Sequence, residues 1–255
     1  MQLSPCVEWI FAEEEPELAN RIRAAKAAGF DQVEFHLWRD KDVDSVATAL
    51  AETGVRLTGF VVEPRRSLVD PAQHAEFLDA VRDSLATAQK LGSPPLVVAS
   101  GFTREGVPFQ DHVDAAVAAL KQAAALAEQA GVLLVLEPLN DRVEHPGMFL
   151  VSTTVGLDIV EAVGSPNLRL LYDAYHSAVM GEDLREVLAG RTDLVAHVQL
   201  ADVPGRHEPG TGTIDWSDTL AALDELGYQG AFGLEYRPTM PALESLAATR
   251  AALGA

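Results

Sequence analysis

The feature that most constrains the fold of this chain is a regular alternation of short apolar runs with longer amphipathic segments. The alternation repeats eight times in 255 residues, and no linker, low-complexity tract or change of composition interrupts it. Short apolar runs are typical of buried strands, and apolar residues spaced three and four apart are typical of helices. Strands that alternate with helices form a parallel sheet. Eight such units at this length predict an α/β fold, a (β/α)8 TIM barrel, with residues 1–255 as a single domain.

The predicted strands coincide with the apolar runs, and we interpret the segments between them as helices. Several of these helices end at a glycine, the residue most often found just after a helix. A doubly wound open sheet is the alternative, but no phosphate-binding glycine fingerprint follows the first strand, which favours the barrel. In chain order the predicted strands are 6–11, 32–36, 55–62, 96–99, 132–136, 168–173, 195–200 and 231–236.

The fifth predicted strand ends in a carboxylate. Val132 to Leu136 is a continuous apolar run, which indicates a strand buried on both faces, and Glu137 follows it directly. A carboxylate is almost never buried without a partner. We therefore expect Glu137 to lie at the mouth of the barrel or beside a cation.

Oxygen-bearing side chains also end the next three strands. Asp173, Gln199 and Glu235 follow Glu137 at successive intervals of 36, 26 and 36 residues. Active sites of TIM barrels lie at the C-terminal ends of the strands. Three carboxylates and an amide there predict a cation, and all-oxygen ligation favours Mg²⁺ or Mn²⁺ over Ca²⁺ and over a dedicated zinc site. The alternative, in which each acid pairs with an arginine or a helix N-terminus, is disfavoured by four successive strand ends.

Further polar residues lie close to these strand ends in the sequence. His176 follows the sixth strand, and residues 201–212 form a long charged loop rich in glycine and proline after the seventh. Arg206 in this loop has the planar shape that binds a carboxylate or phosphate with two hydrogen bonds. A hydrogen-bonded loop histidine and a solvated arginine are the alternative interpretations. Glu144, seven residues after Glu137, is placed to fold back over the mouth.

Two other strands carry polar residues at alternate positions. His197 and Gln199 share one face of the seventh strand because side chains alternate along a strand. Glu34 and His36 end the second strand, and two roles are open for them: lining the opposite wall of the mouth or, as the favoured interpretation, packing in the core or at the rim. Trp38, just beyond, fits either the floor of a sugar site or internal packing.

The charge balance and the cysteine content restrict the classes of partner. With 19 Lys+Arg and 38 Asp+Glu, the net charge of −19 repels phosphate backbones and disfavours nucleic-acid binding. The single cysteine, Cys6, excludes an internal disulfide and is interpreted as a small buried apolar residue. No apolar stretch of about 18 residues predicts a membrane span. We expect a cytoplasmic protein with a small-molecule substrate, and a homo-oligomer stays open.

Four segments of the chain resemble the hydroxypyruvate isomerase family. This family belongs to the xylose-isomerase-like TIM barrels, whose relatives include ketose 3-epimerases and endonucleases of the endonuclease IV type. The resemblance is close from about residue 131 to residue 238, and it implies one xylose-isomerase-like domain over 1–255. The segments that carry it are 137–140 (EPLN), 170–176 (LLYDAYH), the loop 199–212 and 233–238 (GLEYRP).

The resemblance implies an aldose–ketose type isomerase, that is, an intramolecular oxidoreductase that depends on a divalent metal ion. Its expected reaction converts hydroxypyruvate to tartronate semialdehyde, or a close analogue, through an enediolate. By similarity the acid/base pair is Glu137 and Glu235. The implied ligands of Mg²⁺ or Mn²⁺ are Glu137, Asp173, Gln199 and Glu235. The implied substrate contacts are His176, Arg206 and Glu144.

Several other activities fit the same pattern less well or equally well. A ketose 3-epimerase or a 2-oxo-tetronate isomerase would use the same ion and the same glutamates. An endonuclease IV-like phosphodiesterase would need clustered histidines for several zinc ions and a basic surface. A non-catalytic sugar-binding barrel would not need two glutamates at the mouth. The segments 35–40 and 61–66 depart from the family pattern, so the part of the mouth that meets the tail of the substrate is undetermined by the resemblance.

Overall fold

The strands and helices alternate along the chain as the apolar pattern predicts. The computed structural model describes residues 1–255. The strands are β1 Leu3–Pro5, β2 Gln32–Val33, β3 Arg56–Leu57, β4 Phe60–Val61, β5 Leu96–Val98, β6 Leu134–Leu136, β7 Leu168–Asp173, β8 Val195–Leu200 and β9 Phe232–Leu234. The helices are α1 Leu18–Ala27, α2 Val43–Thr53, α3 His74–Lys90, α4 Phe109–Ala130, α5 Thr153–Val163, α6 Ala174–Met180, α7 Leu184–Leu188, α8 Trp216–Glu225 and α9 Ala242–Leu253.

All strand pairs are parallel, and together they close a barrel. Seven strands pair in the order β1-β9-β8-β7-β6-β5-β4, and β2 pairs with β3. A parallel bridge between Cys6 and Glu34 joins β1 to β2. On the other side, the Val61 amide donates to the His36 carbonyl at 2.8 Å, so β4 continues the barrel from β2. The predicted (β/α)8 barrel is therefore confirmed, with β3 and β4 as two pieces of its third strand.

The first strand is shorter and earlier than the sequence predicts. β1 covers Leu3–Pro5 and pairs with β9, with Leu3 opposite Phe232. The predicted strand 6–11 is wrong, because this segment forms turns in which the Ile10 amide donates to the Cys6 carbonyl. Its apolar residues are nevertheless buried. The apolar run therefore reports burial in the core and not extended backbone.

The main core lies between the barrel and its helices, and a smaller cluster fills the barrel. Val97, Val135 and Leu171 form this inner cluster. Side chains alternate between the two faces of a strand. The next inward positions toward the C-terminal ends of β6 and β7 therefore belong to Glu137 and Asp173. Because of this alternation, the carboxyl groups of Glu137 and Asp173 lie at the mouth of the barrel, next to the apolar cluster of Val97, Val135 and Leu171.

None of the helices has both the length and the apolar composition needed to cross a membrane.

Candidate active site

The C-terminal ends of the strands surround a cavity of about 680 Å³. Side chains from the predicted site reach it from three strand ends and from the loop after β8. The lining residues with acid–base or charged groups are His36, Arg65, Arg66, Asp70, Arg104, Glu137, Glu144, His145, His176, Arg206, Glu235 and Arg237.

Two of the three predicted acids, Asp173 and Glu235, share one positively charged neighbour. The Nη2 atom of Arg206 donates to Asp173 Oδ2 at 2.9 Å and to Glu235 Oε2 at 2.8 Å. Glu137 lies in the same group, because His176 Nε2 is 3.8 Å from Glu137 Oε1 and 3.6 Å from Asp173 Oδ2. The structure therefore brings together acids that are far apart in the sequence.

Asp173 divides its two oxygens between a helix and the site. Its Oδ1 accepts hydrogen bonds from the amides of Tyr175 and His176, so it caps α6 at its first turn. Its Oδ2 faces Arg206. Burial raises the pKa of Asp173 to about 7, although the Arg206 guanidinium acts in the opposite direction.

Glu137 is the acid that the protein leaves without a partner. Its carboxyl faces the cavity and has no hydrogen bond to the protein, and His176 Nε2 lies 3.8 Å from its Oε1. Burial, and after it the charges of Glu235 and Asp173, raise the pKa of Glu137 well above its ordinary value.

Glu235 lies in the opposite electrostatic situation. Burial alone would raise its pKa, but Arg206 and then His36 outweigh this effect and hold the pKa of Glu235 at about 2. His36 Nε2 is 2.7 Å from Glu235 Oε1. Two cavity carboxyls whose pKa values are pushed apart are the usual arrangement of an acid and a base.

His36 is held beside Glu235 by Cys6 and Trp9. The Cys6 sulfur lies 3.3 Å from His36 Nε2, and the Trp9 ring packs edge-on against the imidazole. Burial disfavours the charged imidazole, yet contacts with Cys6 and Glu235 hold the pKa of His36 well above its ordinary value. Burial also raises the pKa of the Cys6 thiol.

Arg206 is buried and fixed from several sides. Its Nη1 donates to Glu144 Oε2 at 2.7 Å, and its guanidinium lies over the rings of Trp9 and Tyr175. Its backbone adopts φ +57°, and its carbonyl accepts a hydrogen bond from the Arg237 amide. A side chain that is only 4% exposed and holds three carboxylates contributes a fixed positive charge to the site.

Gln199 is oriented by a buried polar layer below the mouth. It lies opposite Asp173 in the pairing of β7 and β8. Its Nε2 donates to Glu34 Oε1 at 3.0 Å, and the other oxygen of Glu34 lies 2.6 Å from His197 Nε2. A Cβ on Gly233 would collide with the Glu34 carboxylate, so glycine is required at that position. Because Glu34 can only accept, the amide must turn its oxygen away from it.

The oxygen atoms of the four predicted ligand side chains suit a hard divalent cation. The oxygen Oε1 of Gln199 is buried and accepts no hydrogen bond in the protein. Gln199 lies opposite Asp173 in the sheet, and a buried acceptor without a partner at that position is costly unless a cation compensates it. The set consists of oxygen atoms only, which is the chemistry that Mg²⁺ and Mn²⁺ prefer. Glu137, Asp173, Gln199 and Glu235 remain the predicted ligands.

The predicted substrate contacts all lie at the cavity. His176 is buried, with its Nε2 free of any hydrogen bond. Glu144 reaches over the mouth and pairs with Arg206. Arg206 contacts the protein's own acids, so its guanidinium is already engaged before any substrate is considered. Trp38 does not line the cavity, and its Nε1 donates to Ser84 on α3.

Glu34 and His36 are the residues whose role the sequence analysis underestimated. They touch Gln199 and Glu235 directly, and they are not merely packed in the core or at the rim. A signal is present in the sequence: polar residues spaced two apart occur just after β2, at Glu34 and His36, and near the end of β8, at His197 and Gln199. That spacing places each pair on one face, and two such faces meet inside the barrel.

This fold and this group of strand-end acids define a class of protein. Residues 22–252 match the family described as xylose isomerase-like TIM barrel, and the chain belongs to that family. Within it, the chain is 36% identical to a Streptomyces coelicolor protein whose hydroxypyruvate isomerase name is provisional, over 88% of this chain and 87% of that one. It is 30% identical to the 2-oxo-tetronate isomerase of Cupriavidus necator, over 88% of each chain.

A solved structure agrees with this placement in fold. The Brucella melitensis crystal structure described as AP endonuclease, family 2, superposes with a TM-score of 0.89 at 30% identity and covers 96% of each chain. Together with the relatives named as isomerases, the similarity establishes an enzyme of the sugar-isomerase type, akin to hydroxypyruvate isomerase.

Proposed function

We propose that this enzyme is a divalent-metal-dependent isomerase of a small keto or hydroxy acid, with hydroxypyruvate and tartronate semialdehyde as the expected pair. The observation that carries the proposal is the pair of carboxyls, Glu137 and Glu235, that line one cavity at the C-terminal ends of the strands. Isomerisation needs one group to accept a proton from carbon and another to return one.

Glu235 and Glu137 carry out the two proton transfers between the substrate carbons and the enzyme. The Glu235 carboxylate takes a proton from the hydroxymethyl carbon next to the carbonyl, which leaves an enediolate. The Glu137 carboxyl delivers a proton to the former carbonyl carbon, and the hydroxyl proton passes to the former carbonyl oxygen. Such acid–base assistance contributes typically about 10²- to 10⁴-fold.

The residues around the pair bind and orient the substrate. A divalent cation held by Glu137, Asp173, Gln199 and Glu235 supplies positive charge next to the substrate oxygens when it is bound. Arg206 adds a fixed positive charge, and Glu144 holds Arg206 in place. His176 presents its free Nε2 to the cavity.

The charge of the cavity wall favours an acid over a neutral sugar as substrate. The whole chain has twice as many acidic as basic residues, with 38 Asp+Glu against 19 Lys+Arg. Five arginines nevertheless line this one cavity, namely Arg65, Arg66, Arg104, Arg206 and Arg237. Four acids, Asp70, Glu137, Glu144 and Glu235, line the same cavity, so basic and acidic residues are nearly equal there, whereas acids outnumber bases two to one in the whole chain. A wall that is less negative than the rest of the protein favours anionic substrates. This observation favours keto-acid isomerisation over the 3-epimerisation of free ketoses.

The decisive experiment follows the exchange of carbon-bound protons with solvent. The Mg²⁺- or Mn²⁺-loaded protein is incubated in D₂O with hydroxypyruvate, four-carbon keto acids and free ketoses, and the proton next to the carbonyl is followed by NMR. We expect exchange and product formation with a keto acid. Exchange with none of these compounds would rule out the proposed chemistry, and exchange with ketoses alone would favour an epimerase.

Two variants test the acid/base assignment. Glu137→Gln and Glu235→Gln should each lower the exchange rate at least about 10²-fold, because each removes one proton carrier. Titration calorimetry checks that the cation still binds. Glu128→Gln, an exposed change on α4, serves as the matched control and should exchange at the wild-type rate. Wild-type exchange in both active-site variants would show that other groups move the proton.

Phosphodiester cleavage is the second activity to examine, because the Brucella melitensis structure carries an endonuclease description. The net charge of −19 opposes the approach of a DNA backbone. We expect no cleavage of abasic DNA by the metal-loaded protein at a salt concentration near 0.15 M. Cleavage that is abolished by Glu235→Gln would instead support the nuclease activity.

A further inference from the structure

A buried amide contacts the rear of the His176 ring. Asn140 closes the segment Glu137-Pro138-Leu139-Asn140 and is 0% exposed. Its side-chain nitrogen Nδ2 lies 2.7 Å from His176 Nδ1. An amide can present either its oxygen or its nitrogen to a neighbour, and the two choices dictate opposite protonation of the ring. The orientation of Asn140 therefore determines what His176 can do in the cavity.

The backbone of the following loop fixes that orientation. Asn140 Oδ1 accepts hydrogen bonds from the amides of Val143 at 3.0 Å and Glu144 at 3.1 Å. Rotating the amide would place its NH₂ group against two N–H donors and would leave both backbone donors unpaired. Asn140 must therefore turn its Nδ2 toward His176.

The Asn140 donor requires an unprotonated nitrogen at His176 Nδ1. Nδ2 of an asparagine donates only, so His176 Nδ1 accepts and carries no proton. In a neutral imidazole the single proton then lies on Nε2. The ring is neutral, because a second proton on Nδ1 would point at the NH₂ group of Asn140.

The protonated nitrogen is the one that faces the cavity. His176 Nε2 is buried and has no hydrogen-bond partner in the protein. It lies 3.6 Å from Asp173 Oδ2 and 3.8 Å from Glu137 Oε1. Two groups of potential cation ligands include this histidine, one with Glu137 and Asp173 and one with Glu144 and His145. An N–H bond pointing at the cavity excludes His176 from both, because a cation needs a lone pair.

We propose that Asn140 is a positioning residue that holds His176 as its Nε2–H tautomer, so that His176 donates a hydrogen bond to a substrate oxygen and does not ligate the cation. Only the catalytic part of this inference rests on the proposed isomerase function. The donor acts on the oxygen that becomes negative as the carbon-bound proton leaves. Loss of one such donor costs about 10²- to 10³-fold in kcat.

The tautomer is measured directly by NMR. Protein labelled with ¹⁵N-histidine is examined without metal or substrate, with His176→Gln used to assign the signals. We expect Nδ1 of His176 to have the shift of a bare ring nitrogen and Nε2 that of a protonated one. A protonated Nδ1 in the wild type would overturn the proposal, whatever reaction the enzyme catalyses.

The Asn140→Asp variant tests whether the tautomer matters. Its carboxylate keeps both backbone amide bonds, but it accepts from Nδ1 and should move the ring proton there. We then expect kcat to fall about 10²- to 10³-fold, with a much smaller change in KM. Asn167→Asp is the matched control, because Asn167 also donates its Nδ2 to an oxygen, the Val132 carbonyl, but lies away from the site. It should change neither the spectrum nor the rate.

The NMR and kinetic results must agree for the proposal to stand. A slow Asn140→Asp variant with a proton on Nδ1 supports it, and so does a variant that keeps both a bare Nδ1 and the wild-type rate. Wild-type kcat with a protonated Nδ1, or a slow enzyme with a bare Nδ1, overturns the role of the tautomer. If no keto acid is turned over, the proposed function fails, and the wild-type spectrum still decides the tautomer.

Discussion

At the level of single residues, the site depends on which atom of each polar group points where. Glu34 illustrates this point for Gln199, because one carboxylate fixes the orientation of an amide that would otherwise be free to rotate. The same carboxylate pairs with His197 at 2.6 Å, so its own position is fixed as well. Mutation of a residue that orients a metal ligand without touching the cation typically lowers the affinity for the cation about 10- to 100-fold.

We predict that Glu34→Gln weakens the binding of Mg²⁺ or Mn²⁺ by about 10- to 100-fold, because an amide at position 34 no longer requires Gln199 to face it with Nε2. Titration calorimetry gives the affinity. Glu182→Gln is the matched control: Glu182 also accepts several hydrogen bonds, from Thr153 and Ser177, but does not contact the four predicted ligands. It should lower the melting temperature and leave the cation affinity unchanged. Equal cation affinity in Glu34→Gln and the wild type would contradict the orienting role.

The residues at strand ends could be predicted from the sequence, and the residues behind them could not. Glu137, Asp173 and Glu235 follow apolar runs, and the pleat then dictates where they point. Glu34 also lies on a strand, but its importance depends on Gln199, which is 165 residues away along the chain. No local pattern specifies the partner of a buried acid.

At the level of elements, the loop after β8 is held by one buried carboxylate. Asp202 is 0% exposed and accepts hydrogen bonds from the amides of Gly210 and Ile214 and from the Trp216 indole. A Cβ on Gly212 would collide with the Val203 carbonyl, so the loop can close this tightly only with glycine there. This closure carries Arg206 into the site.

We predict that Asp202→Asn destabilises the fold by about 1–3 kcal/mol, because an amide can accept with only one of its atoms. Burial would raise the pKa of Asp202, but the Trp216 indole and the backbone amides outweigh it and lower the pKa. A lowered pKa means that the stabilisation is present above the pKa of an unfolded aspartate and is lost as pH falls through the folded value.

Melting curves of wild type and Asp202→Asn between pH 7 and pH 3 test this sign. The difference in melting temperature should be largest near pH 7 and should shrink toward pH 3. A difference that grows on acidification would show that the carboxylate is not the stabilising form. Asp193→Asn, a change at a poorly buried turn before β8, should have no comparable effect.

Element type was easier to predict than element boundaries. The helix expected after the sixth strand is α7, which Asp183 caps, and a short helix that was not predicted, α6, precedes it because Asp173 caps a helix directly at the end of the strand. The third strand is broken between β3 and β4, where residues 58 and 59 pass from one partner strand to the other. Such breaks depend on barrel closure, which an apolar run does not encode.

At the level of the whole molecule, the repeat of eight units fixed the architecture, while the cavity wall came from loops. Strand–helix alternation is a property of the entire chain and survives errors at single boundaries. The basic residues that face the cavity come from separate loops, such as those holding Arg65, Arg104 and Arg237. Nothing local to these loops indicates that they meet, so the charge of the cavity could not be predicted from the sequence.

The four predicted ligands, Glu137, Asp173, Gln199 and Glu235, lie on four different strands, so cation binding should stabilise the whole barrel. They come together only in the folded chain, and the unfolded chain therefore offers no comparable site. A cation at 100 times its Kd would add about 2.7 kcal/mol to the free energy of unfolding. For a chain of this size that corresponds to a rise in melting temperature of about 5–10 °C.

Any salt screens the repulsion within a chain of net charge −19 and can raise the melting temperature on its own. The rise in melting temperature caused by cation binding must be separated from this effect. Metal-stripped protein is therefore melted with Mg²⁺ or Mn²⁺ and, in parallel, with NaCl at the same ionic strength. We expect a clear excess for the divalent ions in the wild type and only the NaCl-sized rise in Asp173→Asn, which removes one negative charge and one ligand oxygen. Equal rises in both proteins would place the divalent ions on the acidic surface and not between the strand ends.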